Sequence, residues 1–285
     1  MESGLTVAVV GATGRQGGAV ARHLLTDGWR VRGLTRRPSS RPARALDALG
    51  ADVVQVELSD RRSLDQALEG AYGVFNVQNP MISGVDAEVE HGKKVADAAK
   101  EAGVRHVVYG SAGIGVPGTG VGSWESKLVI QAHMEEAGLP LTVLRPMAFM
   151  ELMTDKSFYP AVSTWHLMPI LMGDDRPVPW LSLNDFGAIV ACVFAQPDQF
   201  IGEDIKVASE VDSIAECRRI WREMVGRDPR RFPMPVWAFE RFVGTDLTTM
   251  WRWLRTGRLE FDPSGTHEIL PTASTVRQWL TLVKG

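Results

Sequence analysis

The stretch Val7-Ala8-Val9-Val10-Gly11-Ala12-Thr13-Gly14-Arg15-Gln16-Gly17 decides the fold. A four-residue apolar run feeds straight into three glycines spaced three apart, and an amphipathic pattern opens at the last of them. Over 15–27 the positions Gly17, Val20, Ala21, Leu24 and Leu25 follow the i, i+3, i+4, i+7, i+8 spacing of one buried helix face, and Gly28 closes the segment. Three glycines alone are a weak signal. With a buried strand before them and a helix after, they form a turn in which backbone N–H groups and a helix N-terminus converge, the geometry that receives a pyrophosphate.

The alternation continues outward from this turn. Strands are expected at 5–10, 30–35, 52–56, 73–77, 105–110 and 141–144, with helical patterns between them. Each crossover is compact, so the sheet should be parallel and doubly wound, a Rossmann-type α/β fold. After Leu144-Arg145-Pro146 the rhythm changes. A Met-, Phe- and Trp-rich stretch is followed by strand-like 178–183, a helix over 184–196, a strand at 205–208 and a helix over 213–225. Residues 1–150 are therefore expected to form the dinucleotide-binding domain. Residues 151–285 should form a smaller α+β region on the substrate or partner side, interleaved with the first. Seven of the nine tryptophans lie in this later part, where core packing accounts for most of them; Trp251 and Trp253 share one long helical pattern with Phe239, Phe242 and Leu254.

Composition sets the outer bounds. The chain has 285 residues, is 45% hydrophobic and carries a formal net charge of −3, the profile of an ordinary globular protein with a large core. No Lys/Arg-rich run provides the footprint of a nucleic-acid binder. No stretch approaches the roughly 20 apolar residues of a membrane span, and the first apolar run is too short for a leader. The expectation is a cytoplasmic monomer or homodimer without nucleic-acid or membrane partners. Cys192 and Cys217 sit in helical patterns outside any metal-ligand spacing and read as buried thiols, so no metal is expected.

Selectivity and chemistry follow from the strand ends. NAD-selective folds place a carboxylate at the end of the second strand, about 20 residues past the glycines, to hold the ribose hydroxyls. Here Thr35-Arg36-Arg37 stands there. Guanidinium groups pair with a 2′-phosphate that a carboxylate would repel, so NADP(H) is the expected cofactor, with Arg36 and Arg37 on the phosphate and Arg15 as a further candidate. Gly11, Thr13, Gly14, Gln16 and Gly17 line the loop. Glu57 and Leu58 are placed for the adenine, and Asn76, Val77 and Gln78 for the cofactor's middle. Asp60 reads equally well as the cap of a helix beginning at Arg61. Tyr109, within the fifth strand, reads as core, and His133 as structural.

The chain resembles the NmrA-like branch of the atypical short-chain dehydrogenase/reductases, with isoflavone-reductase-like enzymes as close relatives. The resemblance is carried by residues 11–17, Thr35-Arg36, Gly70 to Phe75, Asp97 to Gly103, His106 to Ser111, Lys127, Leu144-Arg145-Pro146 with Phe149-Met150-Glu151, Ser182 to Gly187 and Gly202, spanning essentially the whole length. It implies that Ser111 and Lys127 occupy the serine and lysine positions of the short-chain dehydrogenase site, and that Ser123 stands where a catalytic tyrosine is usual. A serine hydroxyl is a far poorer proton donor than a lysine-assisted phenol. Lys127 is then either the acid/base group itself or a clamp on the nicotinamide ribose. By the same resemblance Pro146 and Phe149 run past the nicotinamide, and Met147, Phe149, Trp165 and His166 face the substrate. Two functions stay open at this point. One is an NADPH-dependent reductase of a small apolar carbonyl, quinone, enone or imine; the other is a non-catalytic redox sensor acting through a protein partner.

Overall fold

The computed structural model describes residues 4–155 and 163–284. In chain order its elements are β1 (Thr6–Val10), α1 (Arg15–Thr26), β2 (Arg30–Thr35), α2 (Arg41–Ala48), β3 (Asp52–Gln55), α3 (Arg61–Leu68), β4 (Gly73–Asn76), α4 (Pro80–Ser83), α5 (Val85–Glu101), β5 (His106–Gly110), α6 (Gly122–Glu136) and β6 (Leu141–Pro146). There follow β7 (Ala148–Phe149), α7 (Met168–Met172), β8 (Pro177–Leu181), α8 (Leu183–Ala195), α9 (Pro197–Phe200), β9 (Asp204–Val207), β10 (Glu210–Ser213), α10 (Ile214–Val225), α11 (Val236–Val243), α12 (Asp246–Leu254), α13 (Ser264–Ile269) and α14 (Val276–Lys284).

The chain divides into two compact units. The first holds the residues up to Gly115, Ser126–Arg145 and Leu183–Lys206; the second holds Val116–Glu125, Pro146–Ser182 and the residues from Val207 on. In the first unit seven strands lie in the order β3-β2-β1-β4-β5-β6-β9. The pairs β1/β2, β1/β4, β2/β3, β4/β5 and β5/β6 are all parallel. This is the expected doubly wound, Rossmann-type order, with its switch point between β1 and β4. Val7 to Val10 are buried because helices cover both faces of a parallel sheet.

Glycines permit the tight helix packing. A Cβ on Gly187 of α8 would lie 2.7 Å from the backbone of Ala19 in α1, and one on Gly92 of α5 would lie 2.7 Å from Ile130 in α6. Neither pair of helices could approach this closely with a larger residue.

The second unit has a three-stranded sheet, β10-β8-β7, antiparallel between β10 and β8 and parallel between β8 and β7. Its core gathers Trp165, Trp180, Trp251 and Trp279 with Phe239, Cys217 and several methionines. Trp237 departs from the expected packing and stands 71% exposed. The single helical pattern expected through 239–254 is in fact two helices, because Gly244 adopts φ +93°, a conformation that ends α11. The turn sets Phe239 against Trp251 at 5.8 Å between ring centroids. The strand expected over 178–183 stops at Leu181, and α8 begins at Leu183. Ser182-Leu183-Asn184-Asp185 has the form of a capping box, which favours helix entry over continued strand. Cys217 is buried and its thiol pKa is pushed up by that burial, whereas Cys192 is only half-buried. Among the described residues no helix is long and apolar enough to cross a membrane.

Candidate active site

The glycine loop leaves β1 at the switch point. Gly11 adopts φ +64°, and the Gly14 N–H donates to its carbonyl at 2.8 Å, closing the turn. A Cβ on Gly17 would meet the Gly11 oxygen at 2.4 Å and the Val10 oxygen at 2.8 Å, so only glycine lets α1 start this close to β1. No side chain caps α1 at Gly14, and both Gly11 and Gly14 are exposed, which leaves the N-terminal face of the loop open. The side-chain oxygen of Gln16 is buried without a hydrogen-bond partner among the described residues. An open cradle of N–H groups at a helix N-terminus fits a bound pyrophosphate.

Thr13 ties this loop to the end of β2, its hydroxyl 3.1 Å from that of buried Thr35. The next two residues, Arg36 and Arg37, are exposed, and no carboxylate among the described residues pairs with either guanidinium. At the end of β3, Glu57 is exposed while Leu58 rests half-buried against the core. Asp60 accepts from the Arg62 N–H at 3.0 Å and caps α3.

The ends of β4 and β5 meet the loop through Val77. Its side chain is 3.9 Å from where a Cβ on Gly11 would be and 3.2 Å from where one on Gly110 would be. Asn76 and Gln78 are buried beside it and joined by an amide hydrogen bond, with the Gln78 side-chain oxygen left unpartnered among the described residues. Lys127, on α6, is also buried. Its Nζ donates to the Gln78 carbonyl at 2.8 Å, lies 2.8 Å from Oε1 of Glu88 on α5, and sits 5.6 Å from the centroid of the Tyr109 ring. The Ser126 hydroxyl donates to the other Glu88 oxygen at 2.5 Å. Burial lowers the lysine's proton affinity and the Glu88 charge raises it, burial having the larger effect. The Tyr109 phenol is held well above its usual range by burial and by Glu88.

Ser111 is buried at the end of β5 but does not join this cluster. Its hydroxyl accepts from Arg145 Nη1 at 3.1 Å. Arg145, itself buried, also pairs with Asp204 at 2.6 Å, bonds the Ala112 carbonyl at 3.0 Å and donates to Gln131.

In the second unit Ser123 gives its hydroxyl to Asp246 Oδ2 at 2.5 Å and its N–H to Oδ1 at 3.1 Å. Pro146 ends β6, and half-buried Met147 donates its N–H to the Val207 carbonyl at 3.1 Å. Phe149 is buried. Trp165 belongs to the core: its indole N–H is committed to the Met153 carbonyl at 3.1 Å and its ring meets Trp221 edge-on at 5.6 Å. His166 is half-buried within the single helical turn Ser163–Leu167.

Sequence reading missed three residues here: Glu88, Arg145 as a side chain, and Asp246. A signal for Glu88 exists. It stands with Gly92, Val95 and Ala99 on the buried stripe of α5, at i, i+4, i+7 and i+11, where a charged residue is out of place.

The sequence profile of the NmrA-like family matches residues 4–280. The chain belongs to the NmrA-like family. Curated relatives include the NmrA-like family domain-containing oxidoreductase malD of Malbranchea aurantiaca, 30% identical, the match covering 98% of this chain and 91% of that protein. Another is the oxidoreductase notA of Aspergillus sp. (strain MF297-2), 33% identical over 81% and 76% of the two chains. Among solved structures, NmrA, a negative transcriptional regulator, in complex with NADP superposes with a TM-score of 0.78 at 20% identity, covering 98% of this NmrA-like chain and 94% of that one. The NADPH-dependent quinone oxidoreductase of Escherichia coli gives 0.76 at 18% identity, with 98% and 100% covered. These likenesses establish a shared fold.

Proposed function

We propose that this chain is an NADP(H)-dependent oxidoreductase that reduces a small, apolar acceptor such as a quinone, an enone, an aldehyde or an imine. The observation that carries the reading is Lys127, a buried amine fixed at the ends of β4 and β5, in the same unit as an open glycine cradle. The curated relatives named as oxidoreductases support it. Solved NmrA structures hold NADP in one case and NAD in another, so the preference for the 2′-phosphate rests on this chain's own Arg36 and Arg37.

The bound dinucleotide would supply the hydride. The N–H groups of the loop from Gly11 to Gly17 would hold its pyrophosphate, and the unpartnered Gln16 side-chain oxygen would accept from a cofactor hydroxyl rather than from the phosphates. Arg36 and Arg37, with Arg15 nearer the loop, take the 2′-phosphate; Glu57 and Leu58 take the adenine, and Asn76, Val77 and Gln78 line the cofactor's middle. One lysine N–H is engaged by the Gln78 carbonyl and Nζ is ion-paired with Glu88; a remaining N–H would face the acceptor oxygen and give up its proton as the hydride is delivered.

One observation favours a second reading, a cofactor-dependent regulator that works through a protein partner. The hydroxyl standing in the usual tyrosine position is given to Asp246 rather than held for a substrate. Turnover separates the two. Purified protein should oxidise NADPH with at least one member of a quinone, enal and imine panel. The double variant Lys127→Met, Glu88→Gln, which avoids stranding a buried carboxylate, should lose roughly 100-fold or more in kcat while its NADPH affinity stays within about threefold. Binding without turnover across the panel would reject the enzyme reading.

A further inference from the structure

We propose that Glu88 is the positioning residue of the proton donor, holding Lys127 as an ammonium ion with its Nζ aimed, and that Ser126 fixes the carboxylate for this purpose. The proposal rests on the reading of Lys127 as the acid.

Glu88 is wholly buried on a helix face otherwise built from Gly92, Val95, Ala96 and Ala99. A carboxylate there is costly to desolvate, and a well-packed apolar residue would serve stability at least as well. What the carboxylate uniquely supplies is a charge 2.8 Å from Nζ. One oxygen faces Lys127 as its ion-pair partner and the other accepts from Ser126 at 2.5 Å, so the carboxylate is held from two adjacent residues of α6.

Among the described residues the surroundings offer the lysine no other countercharge. From β5 comes the Tyr109 phenol, kept neutral by its raised pKa, whose ring face adds a weaker attraction for the cation. From the segment after β4 comes the Gln78 carbonyl, a dipole without net charge. On β6, Arg145 is committed to Asp204. Glu88 is therefore the one charged group among the described residues that opposes the effect of burial on Lys127.

During turnover a lysine Nζ–H bond breaks and an acceptor O–H bond (N–H for an imine) forms as hydride from the reduced nicotinamide adds to the acceptor's carbon. A neutral amine is left beside the carboxylate, and a proton from water restores the pair. Overall, NADPH, one proton and the acceptor become NADP+ and the reduced acceptor. Removing the carboxylate lowers the lysine's proton affinity further, so activity that needs the ammonium form should fail at lower pH.

The test compares wild type with Glu88→Gln, and with Glu88→Asp, which keeps the charge but withdraws it by one methylene. The alkaline limb of the kcat profile should move down by at least one pH unit in Glu88→Gln and by less in Glu88→Asp. In parallel, protein labelled at the lysine ε-carbon is titrated by NMR, with Lys127 assigned through the Lys127→Met, Glu88→Gln protein. Its midpoint should fall by the same amount whether or not an acceptor has been found, which separates failure of this proposal from failure of the enzyme reading. Should Glu88→Gln not fold, Glu88→Asp carries the test. A folded variant whose Lys127 midpoint and alkaline limb are those of wild type would overturn the proposal, since a purely structural carboxylate would move only the unfolding temperature.

Discussion

Arg36 has no carboxylate partner among the described residues and follows the buried Thr35, which Thr13 ties to the glycine loop. A charge-assisted hydrogen bond contributes about 1.5–3 kcal/mol, so Arg36→Ala should weaken NADPH binding roughly 10- to 100-fold. NADH, which has no 2′-phosphate, should lose less than about threefold. Fluorescence titration with both nucleotides measures this, and equal losses would make Arg36 an ordinary surface charge. At this scale the glycine loop was legible in the sequence because its geometry is local: backbone sterics act within a few residues. Glu88 and Asp246 were not, because each acquires its role from a distant partner. Ser123 and Asp246 are separated by 123 positions, and no spacing rule connects them. The missing tyrosine was visible, but the carboxylate that engages its replacement was not.

At the scale of elements, β1 and β5 were easily read because buried strands are apolar and short, with glycines at their ends. The break between α11 and α12 was not, since an apolar pattern continues across Gly244 and only the backbone's positive φ shows the turn. Strand β5 also carries a consequence for stability. His106 is buried, bonded through Nε2 to the Thr142 hydroxyl at 2.8 Å and set edge-on to Phe194 at 5.2 Å. Burial lowers its pKa from 6.5 to about 4. The unfolded chain therefore takes up a proton below pH 6.5 that the folded chain refuses until about pH 4. The stability contributed by the neutral ring is fully present above pH 6.5 and is lost as pH falls to about 4, up to roughly 3 kcal/mol at about 1.4 kcal/mol per unit. Urea unfolding at pH 7 and pH 4.5 should show this loss in wild type and a smaller one in His106→Gln, whose amide does not titrate. Identical losses in the two proteins would remove His106 from the account.

For the whole molecule, one parallel sheet with its switch point between β1 and β4 sets the glycine loop, the arginine pair after β2, Val77 after β4 and buried Lys127 around the carboxyl ends of the strands of a single unit. An interleaved later region was expected from the sequence, but not which segments cross between the two units. Segments such as Val116–Glu125 and Leu183–Lys206 lie in units apart from their immediate sequence neighbours, and local pattern holds no record of that. The central claim is that this arrangement is a dinucleotide site with a preference for the 2′-phosphate. It is tested most directly by thermal unfolding with added nucleotide. At a free concentration 100 times the dissociation constant, a ligand bound only by the folded chain adds about 2.7 kcal/mol of stability. NADPH should therefore raise Tm by several degrees, with a clearly smaller rise for NADH at the same concentration; an unchanged Tm at saturating NADPH would contradict the account.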